Sequence, residues 1–262
     1  MLVGGKMEKT KSIRRQLLME FGRQLLVSAG IFTALFLVLF LVEWLFPSLR
    51  GTLLQWSNPA FVVGIPASVI GTAYVLTIRN PKNYIGFYGD IVMAILLAVQ
   101  FHLQGGSLDL FFLYLGVFVP CGIYSLIVWR THTMQPEFVD ESLVPRWLPR
   151  ASQVFMVVIA LIIIVVDYIA ATQFFQDNSW WDNVALKLVS GLMIASAVLA
   201  NGLLVGQRID AWIWWVVYSI SGMAIAVMIG NIFSLVLFTV FLIINSSTGV
   251  AWVKIYRNAH NN

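Results

Sequence analysis

From 31 to 42 the chain reads IFTALFLVLFLV, and from 154 to 166 it reads VFMVVIALIIIVV, without one charged or amide side chain in either stretch. Strands of a bilayer barrel alternate apolar and polar residues, which these continuous runs do not. A soluble core cannot absorb them either. Hydrophobic residues make up 60% of the 262-residue chain and charged residues 11%, against about half and about a quarter in a soluble domain. The surplus would face water and aggregate. The chain therefore reads as an all-α polytopic membrane protein. A soluble enzyme, a disordered chain and a nucleic-acid-binding domain are excluded, so nucleic acid is no partner and membrane lipid is one.

A membrane helix needs about 20 mostly apolar residues. Eight such spans are expected, at 24–46, 59–79, 84–103, 108–129, 151–175, 183–206, 210–228 and 231–256. Pro47, Asn80-Pro81 and Gly105-Gly106 close the first three. A polar linker with Pro136, Pro145 and Pro149 follows the fourth, and only Gly230-Asn231 separates the last two. A basic tail (1–23) precedes the first span, which is expected to stay uncleaved because it is longer than a signal-peptide core. With the N-terminus in the cytoplasm, 14 of the 16 Lys and Arg residues fall on the inner side. Arg50 alone lies outside and Lys187 falls within span six. Basic residues collect on cytoplasmic loops, so eight spans with both termini inside fit the charge pattern.

An internal repeat is also expected. Trp56-Ser57-Asn58-Pro59 precedes span two, and Trp180-Trp181-Asp182-Asn183, 124 residues further on, precedes span six. Trp129 and Trp252, 123 apart, each end a span just before a basic residue. The chain then divides into an extra N-terminal helix (24–46), a three-helix bundle (56–130), a cytoplasmic linker (131–150), a linker helix (151–175) and a second three-helix bundle (180–257). Parallel repeats of this kind hold the substrate of a transporter between their halves.

No catalytic constellation is visible. His102, His132 and His260 lie in different segments, no His or Cys spacing suits a metal, and no phosphate loop or nucleophile motif occurs. The reading is not an enzyme, with no cofactor and no metal site. Cys121, the single cysteine, fits a small packing residue. Ionisable groups inside spans are costly and are functional candidates by default. Asp90 could serve a site or pair with Arg79 or Lys82. Lys187 could snorkel to the outer surface, and Asp167 could be a hydrogen-bonding hub. Three dispersed groups make no proton relay, which favours passive transport.

Aromatic and amide residues carry more. Trp212, Trp215 and Tyr218 recur at three-residue spacing and share one helix face. The interfacial aromatic belt explains Trp56, Trp129, Trp180 and Trp252, and explains the deeper Trp215 and Tyr218 less well. Span eight carries Asn245-Ser246-Ser247-Thr248 near the bilayer midplane. Gln100, Asn201 and Tyr114 are further polar groups within spans. The candidate substrate-binding set is therefore Trp212, Trp215, Tyr218, Asn245, Ser246 and Thr248, with Gln100, Asn201, Tyr114 and Asp90. Such residues suit a flat heterocycle bearing hydroxyls, since rings stack on aromatics and amides read carboxamide and ribose groups.

Over roughly 56–257 the chain resembles the nicotinamide riboside transporter (PnuC) family. The resemblance rests on Trp212-x-x-Trp215 opening one helix, on Gly249-x-x-Trp252 closing the last before basic residues, and on the counterpart Tyr124, Trp129 and Arg130. Where the family often has Trp opening the third span, this chain has Tyr84. The resemblance implies a fold like the sugar-transporting SWEET proteins, one helix plus a 3+1+3 parallel repeat. It implies homotrimers and facilitated uptake of nicotinamide riboside across the bacterial inner membrane, with cytoplasmic phosphorylation trapping the product. The pyridinium cation of that vitamin would gain ~0.5–2 kcal/mol over a Trp face. Pro66 and Pro120 are expected kink points for rocking of the bundles. Another vitamin or nucleoside such as thiamine is the alternative cargo. A channel or receptor would need a charged ring or a large extramembrane domain.

Overall fold

The computed structural model describes residues 2–103, 113–134, 144–174 and 183–261. The expected Gly105-Gly106 break, most of the linker and the Trp180-Trp181-Asp182 motif lie outside them. Among the described residues there are eight α-helices, and the strand-like pairing is a single parallel bridge between Arg146 and Arg208. The helices are α1 (Leu2–Leu45), α2 (Pro59–Thr77), α3 (Gly86–Leu103), α4 (Val119–Met134), α5 (Arg150–Phe174), α6 (Val184–Val205), α7 (Asp210–Met228) and α8 (Ile232–Asn261). A π-helical turn, Tyr114–Phe118, leads into α4. Seven helices are long and apolar enough to cross a membrane, and the apolar part of α3, Gly86–Gln100, is shorter.

The expected tail and first span form one helix of 44 residues. At 1.5 Å per residue it is about 66 Å long, twice a hydrocarbon core. Its basic N-terminal part holds good helix formers and no proline, so nothing stops it before Pro47. Two carboxylates pin it to the rest. Glu20 Oε2 accepts from Asn80 Nδ2 at 3.1 Å and from Asn83 Nδ2 at 2.9 Å. Glu43 Oε1 accepts the backbone N–H groups of Leu53 and Leu54 at 2.8 and 2.9 Å. Between them Phe36 packs with Trp56, Phe61 and Phe233, which ties α1 to α2 and α8.

The two Trp-x-Asn motifs have a local cause. Asn58 Oδ1 accepts Ala60 N at 3.0 Å, and Asn183 Oδ1 accepts Ala185 N at 2.9 Å. Each asparagine caps the free N–H groups that begin a helix, α2 and α6 respectively. The slim break between α7 and α8 is also built. Gly230 takes φ +70, the left-handed conformation that ends a helix, and Asn231 Oδ1 caps Ser234 N at 2.9 Å.

Sequential helices pack as neighbours within α1–α4 and within α5–α8, and the last helix of each half packs on the first long helix of the other bundle, α4 on α6 and α8 on α2. The main apolar core lies along that junction. α1 and α5 sit at the edges, where Leu26, Phe40, Val154 and Val166 stay exposed as lipid-facing residues do. Asp210 anchors the linker. Its carboxylate accepts Leu148 N at 2.7 Å and Gln153 Nε2 at 2.9 Å.

Candidate substrate site

Two tryptophans expected at the membrane interface are fully buried at the junction instead. Trp129 Nε1 donates to the carbonyls of Leu204 and Val205, at 3.3 and 3.2 Å, at the end of α6. Trp252 Nε1 donates to the Ile78 carbonyl at 3.0 Å, at the end of α2. Each indole thus donates to carbonyls at a helix end of the opposite half, where the helical hydrogen-bond ladder runs out. The two rings meet 5.9 Å apart. An edge-on aromatic backs each, Phe87 against Trp129 at 4.8 Å and Trp212 against Trp252 at 5.3 Å. Phe87, not Tyr84, takes the place that Trp212 holds in the second half. The Gly249-x-x-Trp252 spacing now has a reason. A Cβ on Gly249 would lie 2.9 Å from the Trp212 side chain, so glycine lets α7 and α8 close over the indoles.

One turn deeper, the halves meet through aromatic and polar groups. The hydroxyls of Tyr114 and Tyr218 are 2.8 Å apart and both rings are buried. Phe118, one turn from Tyr114, packs edge-on against Trp215 at 5.9 Å, and Trp215 packs on Tyr218 at 5.3 Å. The π turn carrying Tyr114 and Phe118 stands just before Pro120, which has no N–H to donate to the preceding turn. Such widened turns recur at functional sites.

Asn245 reaches the same region from α8. Its Nδ2 donates to Ser219 Oγ at 3.1 Å and to the Trp215 carbonyl at 3.4 Å, while Ser219 Oγ donates to that carbonyl at 2.8 Å. Three buried polar atoms nearby have no partner: Asn245 Oδ1, Thr248 Oγ1 and Trp212 Nε1. An unsatisfied buried donor or acceptor is costly, and these are one donor, one acceptor and one hydroxyl beside planar apolar walls. Ligand sites combine apolar walls with a few polar groups in this way.

The structure thus brings Trp212, Trp215, Tyr218, Tyr114, Asn245 and Thr248 together. Ser246 points away on the exposed face of α8. Asn201 is buried but returns its amide to Ala197 O at 2.9 Å within its own helix. Gln100 packs its amide against Gly64 of α2, where a Cβ would come within 2.8 Å. Phe118 and Ser219 belong to the cluster and stand one turn from Tyr114 and Trp215, a spacing that could have marked them.

The ionisable candidates separate. Asp90 is fully buried, and neither oxygen has a hydrogen-bond partner. Arg79 and Lys82 are exposed, so the expected pairing with them does not form. The long cationic side chains reach water at the helix end more cheaply than they could follow a carboxylate inward. Lys187 Nζ lies 5.8 Å over the Tyr168 ring. Asp167 faces α6 at Gly191, its Oδ2 3.3 Å from where a Cβ would stand. Among the described residues no cluster of His, Cys, Asp and Glu could hold a metal.

The crystal structure of the vitamin B3 transporter PnuC shares the fold, with a TM-score of 0.59 over 93% of this chain and 91% of that chain at 16% identity. No curated relative matches significantly. The family described as nicotinamide mononucleotide transporter matches residues 62–254. The chain therefore belongs to the nicotinamide mononucleotide transporter family, which moves a NAD precursor across membranes and is not a family of enzymes.

Proposed function

We propose that this protein carries out facilitated uptake of nicotinamide riboside across the bacterial inner membrane, and that a cytoplasmic kinase traps the product as its charged phosphate. The observation that carries this reading is the buried cluster at the meeting of α4, α7 and α8. There, Trp215 and Phe118 offer flat faces beside the Tyr114–Tyr218 hydroxyl pair. Asn245 Oδ1, Thr248 Oγ1 and Trp212 Nε1 wait unpaired around it. An amide and hydroxyls match a carboxamide and a ribose, and aromatic faces match a pyridinium.

The reciprocal contacts of Trp129 and Trp252 support two parallel three-helix units, 56–130 and 180–257, joined by the linker 131–150 and the helix 151–175. Alternating access is then a rocking of one unit against the other, with the π turn before Pro120 as the bending point. The inner excess of Lys and Arg supports eight spans with both termini cytoplasmic. Homotrimers complete the reading, and a native mass measurement in mild detergent tests them.

The substrate is tested by ligand-induced stabilisation of the purified chain, since a ligand of the folded state raises its melting temperature by mass action. Nicotinamide riboside should stabilise it, and the mononucleotide and thiamine should not. A shift with the mononucleotide instead moves the phosphorylated form into the site. A shift with thiamine alone replaces the cargo and keeps the fold.

A further inference from the structure

Asp90 stands at a position that mirrors Trp215. Phe87 and Trp212 back the two axial tryptophans, and three residues beyond each come Asp90 and Trp215. Facing them across each half are Gly122 of α4 and Asn245 of α8. A Cβ on Gly122 would lie 3.0 Å from Asp90 Oδ2, and Asn245 bonds the Trp215 carbonyl. Where α7 carries an aromatic ring, α3 carries a carboxyl group.

That carboxyl group is fully buried and both its oxygens lack a partner. Around it are Tyr74 of α2, whose hydroxyl is also buried and unpartnered, Cys121 and Ile91. None of these carries positive charge. A carboxylate kept out of water without a cation is costly, and an asparagine or leucine would fill the same space. Gly122 sets bare α4 backbone against Oδ2, where a larger residue would crowd it, and lies two residues past Pro120.

We propose that Asp90 is the counter-ion for a positively charged ring on the substrate. The transporter then selects flat aromatic cations over uncharged analogues. The inference rests on the heterocycle reading above and adds the charge of the ring.

The test uses the purified full chain and the Asp90→Asn variant, which keeps the shape and removes the charge. Binding is measured for nicotinamide riboside, a pyridinium cation, and for its dihydro form, whose ring is neutral. The wild type should prefer the cation. Asp90→Asn should weaken the cation roughly tenfold or more and leave the neutral ring unchanged. The variant Gly122→Ala, which crowds Oδ2, should shrink the same preference. Equal loss for both ligands, or no loss for the cation, overturns the proposal. If the wild type binds thiamine instead, the nicotinamide reading fails while this one is decided with thiamine, a thiazolium cation, and neutral thiochrome. A wild type that binds neither cation overturns it as well.

Discussion

The segments before and after the linker share one contact and then differ. In both, an edge-on aromatic supports an axial tryptophan whose indole N–H reaches the carbonyl end of the opposite half's first helix. Beyond that shared layer they diverge. The second half continues with Trp215, Tyr218 and Asn245, and the first with Asp90, Met93 and Gly122. The layer held in common is structural, and the layer that differs is where a ligand can be told one end from the other.

The shared layer should fail symmetrically. Trp129→Ala and Trp252→Ala each remove a fully buried ring and its hydrogen bond, a loss of about 3–5 kcal/mol. Because the rings touch, the double variant should cost less than the two losses added. Thermal melting in detergent measures all three. A large loss for one tryptophan and a small loss for the other would break the equivalence.

The divergent layer should fail on one side. Trp215→Ala removes a face from the candidate site and should weaken riboside binding by about 2 kcal/mol, roughly thirtyfold. Met93→Ala, at the mirror position of Tyr218, should change stability and leave affinity within about twofold. Isothermal titration separates the two, and equal loss of affinity would mean that both halves line the site alike.

Close packing sharpens the comparison further. A Cβ on Gly71 of α2 meets the flexible Met93 side chain, while a Cβ on Gly222 of α7 meets the Phe238 ring. Methionine can swing aside, and the ring, packed on Tyr218 and Phe241, cannot do so cheaply. Gly71→Ala should be near neutral, since alanine also favours the helix by about 1 kcal/mol. Gly222→Ala should cost about 1–3 kcal/mol. Chemical unfolding of the two variants reads the difference.

Most of this architecture was legible in the sequence because bilayer physics writes it in large letters. Twenty-residue apolar runs, Pro47, Gly230-Asn231 and the two capping asparagines sit where the helices begin and end. The stripe of Trp212, Trp215 and Tyr218 was legible because helical spacing places those residues on one face. What periodicity cannot carry is which face meets which helix. Trp129 and Trp252 therefore read as belt residues, although each lies at a junction with a helix over 70 residues away in sequence. For Asp90 the sequence left a site role and pairing with Arg79 or Lys82 both open for the same reason: it places those cations nearby but does not show the depth that separates them. The consecutive run Asn245 to Thr248 offered polar groups to every side of α8, and only packing sorts them.

That sorting gives the smallest effect, and it is specific. Thr248 is fully buried with its hydroxyl unpaired, while Ser246 two residues earlier is exposed on the outer face. Thr248→Val keeps the shape and removes a hydroxyl that has no protein partner, so the unliganded protein should lose nothing and can gain stability. If the hydroxyl waits for the substrate, riboside affinity should fall by about 1 kcal/mol, roughly fivefold. Ser246→Ala should alter neither quantity beyond about 0.5 kcal/mol. Melting with and without riboside reads both variants. A loss of affinity at Ser246 with none at Thr248 would mean that α8 turns its other face to the pathway, and that the buried cluster is packing.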